Sequence, residues 1–149
     1  MLRIRTNREN HATFVLPFSM RRISEEARKP SLLIVDDDPQ VLRVSVRLLR
    51  SLYAVEIADD PMEAAELLRH RRFDAVLTDY EMPGENGLWV LEIARKHHPD
   101  ARRVLFSACG PENIAAYIAS GLVHCFVSKP SGRETLIAAL GNREMLSAN

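Results

Sequence analysis

From residue 31 onward the chain alternates short apolar runs with longer stretches whose apolar positions recur at helical spacing. The runs are Leu32 to Val35, Ala54 to Ile57, Ala75 to Thr78, Val104 to Ser107 and Cys125 to Ser128. Most are apolar on both alternating faces, the pattern of strands covered on both sides. Val41, Val44, Leu48 and Leu49 share a helical face after Pro39. Met62, Ala65 and Leu68 do so after Asp60 and Pro61, where Asp60 suits an N-cap and Pro61 the first helical position. Leu88, Leu91 and Ala94 follow, then Ile114, Tyr117 and Ile118, then Leu136, Ile137 and Leu140. Five strands alternating with five helices predict an α/β fold: a doubly wound, five-stranded parallel sheet with helices on both faces and strand order 2-1-3-4-5.

The 149 residues suit one domain with a real core, and 46% hydrophobic content is that of an ordinary globular protein. No apolar run reaches the roughly 20 residues that a membrane helix needs. Twenty basic and twenty acidic residues cancel, but unevenly. Residues 1–30 carry seven Lys/Arg against three acids, so a basic N-terminal extension, read as a solvated and flexible arm, precedes a mildly acidic body at 31–141 and a short tail at 142–149. Zero net charge offers no footprint for nucleic acid. The segment from Ala12 to Met20 is too short, too broken by Pro17 and too basic on its far side for an export signal, and Met20 is a candidate alternative start. Cys109 and Cys125 lack disulfide or zinc spacing, which suits reduced thiols in the cytoplasm.

Polar residues gather where the predicted strands end, the rim at which open parallel sheets bind ligands. Strand 1 runs into Asp36, Asp37 and Asp38; strand 3 ends in Thr78 and Asp79, strand 4 in Ser107 and strand 5 in Lys129. Clustered carboxylates repel, so they need protons or a cation, and all-oxygen ligands suit Mg2+. Beside such an ion Asp79 stays ionised and able to attack phosphorus, while Lys129 neutralises the transferring oxygens and Ser107 donates to one of them. Asp38, before Pro39, reads as a helix cap.

These residues resemble the receiver domain of two-component response regulators, over about Ser31 to Gly141. Leu-Leu-Ile-Val-Asp-Asp-Asp at 32–38 matches the family's acidic motif, and Val-Leu-Thr-Asp-Tyr-Glu-Met-Pro-Gly-Glu-Asn-Gly at 76–87 the segment around its phosphorylated aspartate. Leu-Phe-Ser-Ala at 105–108 matches the hydroxyl switch and Val-Ser-Lys-Pro at 127–130 the lysine motif. The resemblance implies a flavodoxin-like fold, Asp79 as phosphoacceptor, Asp36 and Asp37 as acids of a Mg2+ site, and the Glu81 backbone carbonyl as a further ligand. It implies a histidine kinase or histidine phosphotransfer protein as donor. Ser107 would move toward the phosphoryl group, Phe126 would swing inward, and the face of helix 4, strand 5 and helix 5 would change its preference for an effector protein. The expected function is that of a stand-alone cytoplasmic signalling receiver, not an enzyme beyond assisting its own phosphorylation and dephosphorylation. Phe126 stands where the family often has Tyr, so the switch lacks that hydroxyl. Glu85, Ser131 and Leu122 also depart from common choices, away from the acceptor chemistry.

Two other functions compete. A receiver-fold adaptor would bind partners without phosphorylation. A phosphatase of the haloacid dehalogenase type would use Asp36 and Asp38 as its Asp-x-Asp pair, but it needs acids after Lys129, where only Glu134 and Glu144 stand. It also leaves Asp79 unexplained. His97 and His98 read as helix-end residues, His11, His70 and His124 as lacking ligand-like company, and Trp89 and Tyr117 as packing residues.

Overall fold

The computed structural model describes residues 3–6, 12–15 and 28–141. Five strands, β1 (Ser31–Val35), β2 (Ala54–Ala58), β3 (Ala75–Thr78), β4 (Arg102–Ser107) and β5 (Cys125–Ser128), form one parallel sheet in the order β2-β1-β3-β4-β5. They alternate with α1 (Pro39–Leu49), α2 (Pro61–His70), α3 (Gly87–His97), α4 (Ile114–Ala119) and α5 (Arg133–Ala139). The order reverses between β1 and β3, which opens a crevice at their carboxyl ends. Of the basic N-terminal extension, the strands Arg3–Thr6 and Ala12–Val15 pair antiparallel. The expected flexibility of that arm and the 142–149 tail otherwise lie outside the described residues.

Helix starts follow local chemistry. Asp38 accepts from the Gln40 amide, Asp60 from that of Glu63 and Asn86 from that of Trp89, each satisfying an amide with no intrahelical partner. Pro39 and Pro61 open α1 and α2, where a missing N–H costs nothing. Glu63 accepts in turn from the Asp59 amide, so the Asp60 and Glu63 carboxylates are both occupied with capping.

Strand alternation sends side chains to two cores. Leu32, Ile34, Leu77 and Val104 meet Leu42 and Leu49 of α1 and Leu136 and Ile137 of α5. Leu33, Val35, Val76 and Leu105 meet Ala64 and Leu68 of α2 and Leu88, Leu91 and Ala94 of α3, with Ile114 and Tyr117 of α4 packed alongside. Three expected contacts are corrected. In α1 the sheet receives Leu42, Ser45 and Leu49, while Val44 is 55% exposed. In α2 it receives Pro61, Ala64, Ala65 and Leu68, leaving Met62 out, and in α4 Ile118 faces outward. Apolar residues flank the true stripe of α1 on both sides. Ser45, small enough to lie between Leu42 and Leu49, hides that stripe from a reading that counts only apolar residues.

At the end of the sheet away from the crevice, Arg103 is 3% exposed with no acid bonded to it among the described residues. Its guanidinium donates to the carbonyls of Pro99, Ala101, Gly121 and Leu122, tying the approach to β4 to the α4–β5 connection. Gly121 has φ of +78°, a left-handed conformation that glycine adopts without strain and that ends α4.

Candidate functional site

Three backbone hydrogen bonds carry the sheet one residue past its strands and set the rim. Asp36 donates its amide to the Ala58 carbonyl at 3.1 Å, Asp79 to Val35 at 2.9 Å and Lys129 to Ser107 at 3.1 Å. Asp36, Asp79 and Lys129 therefore emerge at the same rim from β1, β3 and β5, with β4 and its Ser107 between the last two, although 43 and 50 residues separate them in sequence. Ser107 is buried at the end of β4, opposite Ser128 of β5.

Oxygens of Asp36, Asp37 and Asp79 lie within 4.8 Å of one another. Asp36 is 2% exposed and both of its oxygens are engaged. One accepts from the Asp38 amide at 2.9 Å and the other from Lys129 Nζ at 2.5 Å. Burial pushes the Asp36 carboxyl above its ordinary value, opposed by the hydrogen bonds from Lys129 and the Asp38 amide and by the ammonium charge, while the Asp79 charge adds to the rise. Asp79 accepts from the Tyr80 amide at 2.8 Å through Oδ1, and its Oδ2 stands 3.6 Å from Lys129 Nζ. Asp37 is exposed at the mouth.

The donor set fits a hard cation: three carboxylates converge, and Asp37 among them is exposed. Asp36 fits less as a direct ligand than as the anchor of Lys129, since an ion would have to compete for oxygens already bonded. Glu81 lies two residues beyond Asp79, on the β3–α3 loop, with its side chain exposed. The Asp-x-Asp reading fails on geometry, because Asp36 is buried and Asp38 caps α1.

Three residues to which the motifs give no role shape the site. A β-carbon on Gly87 would fall 2.0 Å from the Asp79 carbonyl oxygen, so only glycine lets α3 begin this close to β3. Gly110 is covered by the half-buried Phe126 ring, whose edge would lie 2.9 Å from an added β-carbon. Phe106 lies beneath Lys129, with Nζ 5.4 Å from its ring centre. Gly110 stands three residues past the end of β4 and Gly87 nine past the end of β3, and neither spacing reveals the clearance each provides. Nothing in the spacing pointed to the third.

Known proteins resemble this chain in sequence and fold. Over 116 residues the chain is 31% identical to hybrid signal transduction histidine kinase D of Dictyostelium discoideum, covering 76% of this chain and 8% of that protein. It is 30% identical over 118 residues to the transcriptional regulatory protein GlrR of Escherichia coli, again 76% of this chain but 26% of the relative. It is 31% identical to the acid tolerance regulatory protein ActR of Rhizobium meliloti, of which it spans 59%. These relatives are longer proteins, of which the chain matches a part. Among solved structures, a CheY-like response regulator receiver domain protein of Methanospirillum hungatei superposes with a TM-score of 0.71 at 23% identity, over 77% of this chain and 93% of that one. The signal receiver domain of an HD domain-containing protein of Pseudomonas fluorescens gives 0.70 at 27%, over 80% and 97%. The model of the response regulator receiver domain matches residues 32–141, and with these residues the chain belongs to the response regulator receiver family.

Proposed function

We propose that this chain is a cytoplasmic receiver that takes a phosphoryl group from a phosphohistidine donor onto Asp79 in a Mg2+-dependent reaction. The observation that carries the reading is the Asp79 carboxylate at the strand-order reversal, with Oδ1 held by the Tyr80 amide and Oδ2 facing the Lys129 ammonium across 3.6 Å. An Asp79 oxygen attacks phosphorus as the phosphorus–nitrogen bond to the donor imidazole breaks, leaving an acyl phosphate and, as the released ring takes up a proton from water, a neutral imidazole. Asp37, Asp79 and the Glu81 carbonyl would hold the Mg2+, with Asp36 beside it, and the ion supplies charge neutralisation on the transferring oxygens. Lys129, freed from Asp36, pairs with one phosphoryl oxygen and the Ser107 hydroxyl donates to another. Hydrolysis returns Asp79 and inorganic phosphate when water attacks phosphorus.

Output follows from what the phosphoryl group draws inward. Movement of Ser107 opens space beside Phe126, whose ring rests on Gly110 and packs with α4, so the α4–β5–α5 face changes toward an effector. Phe126 makes this a packing switch without a hydroxyl bond. A histidine kinase or histidine phosphotransfer protein is the expected donor class. The second reading, an adaptor that binds without phosphorylation, is favoured only by that missing hydroxyl.

Intact-mass analysis after incubation with a small phosphoryl donor and Mg2+ decides between them. A single phosphate adduct on wild type, absent from Asp79→Asn and abolished by EDTA, is the expected result. No adduct under conditions that label a control receiver leaves the adaptor.

A further inference from the structure

Lys129 Nζ is held from three directions. Asp36 accepts its hydrogen bond, Asp79 lies 3.6 Å away, and the Phe106 ring sits beneath it at 5.4 Å to the ring centre. The two carboxylates are unequal partners. Asp36, buried and bonded at 2.5 Å, pulls the ammonium toward β1, whereas a phosphoryl group on Asp79 requires it to reach toward β3. The ammonium has three N–H donors, so it can bond a new oxygen while leaving the old one, but each such bond is directional and bends as the nitrogen travels. The negative face of an aromatic ring attracts a cation without fixing its direction, within about 6 Å of the centroid. Phe106 lies one residue before Ser107, is itself almost fully buried, and belongs to the core beneath α1 and α5, so the ring cannot follow the ammonium as it moves. The Lys129 side chain is only 17% exposed, which limits the water that would otherwise screen the attraction.

We infer that Phe106 is a positioning residue for Lys129: its ring face holds the ammonium near the crevice while the nitrogen exchanges Asp36 for an oxygen on Asp79. This rests on the receiver reading for its kinetic part, and on the ring contact alone for its structural part. Leucine at 106 keeps the apolar volume and loses the ring face; tyrosine keeps the face.

Wild type, Phe106→Leu and Phe106→Tyr are compared in three measurements: thermal stability, the Lys129 ε-methylene resonances, and the rate of phosphoryl uptake from a small donor with Mg2+. The expected result is an upfield ring-current displacement of the Lys129 resonances in wild type and Phe106→Tyr that disappears in Phe106→Leu. Uptake by Phe106→Leu slows about three- to ten-fold in the folded protein, with Phe106→Tyr near wild type. Undisplaced Lys129 resonances in wild type, or uptake by folded Phe106→Leu at the wild-type rate, overturn the inference. Should Phe106→Leu be unfolded, the resonances of wild type and Phe106→Tyr decide it. Should wild type take up no phosphoryl group, the receiver reading falls and the ring contact is judged on the resonances alone.

Discussion

A β-carbon on Gly87 would stand 2.0 Å from the carbonyl oxygen of Asp79 and 3.1 Å from a methyl of Leu105. The Gly87 amide also donates to Tyr80, so the backbone around it has little room to retreat. Gly87→Ala sets two effects against each other. Alanine in a helix gains up to about 1 kcal/mol over glycine, while forcing atoms into a packed site costs about 1–3 kcal/mol. The obstacle here is backbone, which gives less than a side chain, so the clash wins. Gly87→Ala is expected to lose a net of up to about 2 kcal/mol in denaturant unfolding and to take up phosphoryl groups more slowly, because Asp79 is displaced. Unchanged stability together with unchanged uptake would refute it. The residue types of the site were legible from sequence because acid, hydroxyl and amine recur at strand ends. Gly87, Gly110 and Phe106 were not, because their roles are clearances and contacts with residues distant in the chain.

Among the elements, α1 shows where periodicity underdetermines packing. The expected face of Val41, Val44, Leu48 and Leu49 and the observed one of Leu42, Ser45 and Leu49 share Leu49 but are otherwise offset by one residue, about 100° around the helix. The sheet chose the second. Leu42→Ala, which empties core space, is expected to cost about 2–5 kcal/mol, whereas Val44→Ala stays within about 0.5 kcal/mol. Equal costs in urea titrations would contradict this packing. Helices α3 and α5 offered no such choice, and Leu88, Leu91, Ala94, Leu136, Ile137 and Leu140 are buried as their spacing predicted. Strand positions were read closely for the same reason: a fully buried parallel strand is a bare apolar run bounded by polar residues.

Across the whole molecule, the end opposite the crevice is fastened by Arg103 and His124. A neutral imidazole has one lone pair, and the Arg103 amide takes it by donating to His124 Nδ1 at 2.9 Å. Hydrogen-bond geometry thereby assigns the proton to Nε2, which lies 3.4 Å from the Arg103 guanidinium. Protonation must sacrifice the amide bond and add a cation beside Arg103, with Arg102 near. Burial first, then the charges of Arg103 and Arg102, holds His124 below its ordinary value of 6.5. The unfolded chain then binds more protons than the native one below that value, so stability rises with pH across the window. The contribution is full above about pH 6.5 and declines as pH falls beneath it. Wild type should therefore lose more Tm than His124→Gln between about pH 7.5 and pH 5, and the comparison cancels the opposing effect of Asp36. Parallel Tm curves would show that His124 is not the sensor.

The sequence by itself determined the alternation of strands and helices, their parallel order, the helix caps and the residue types at the crevice, because periodicity, capping and strand-end polarity are local or nearly local properties. Tertiary structure alone decided which stripe of α1 meets the sheet, that Lys129 pairs more closely with Asp36 than with Asp79, and that Phe106 lies beneath the ammonium. It also decided that Arg103 is satisfied by four carbonyls from two loops. Each of these depends on strand register and helix rotation, which bring together groups that no spacing along the chain relates.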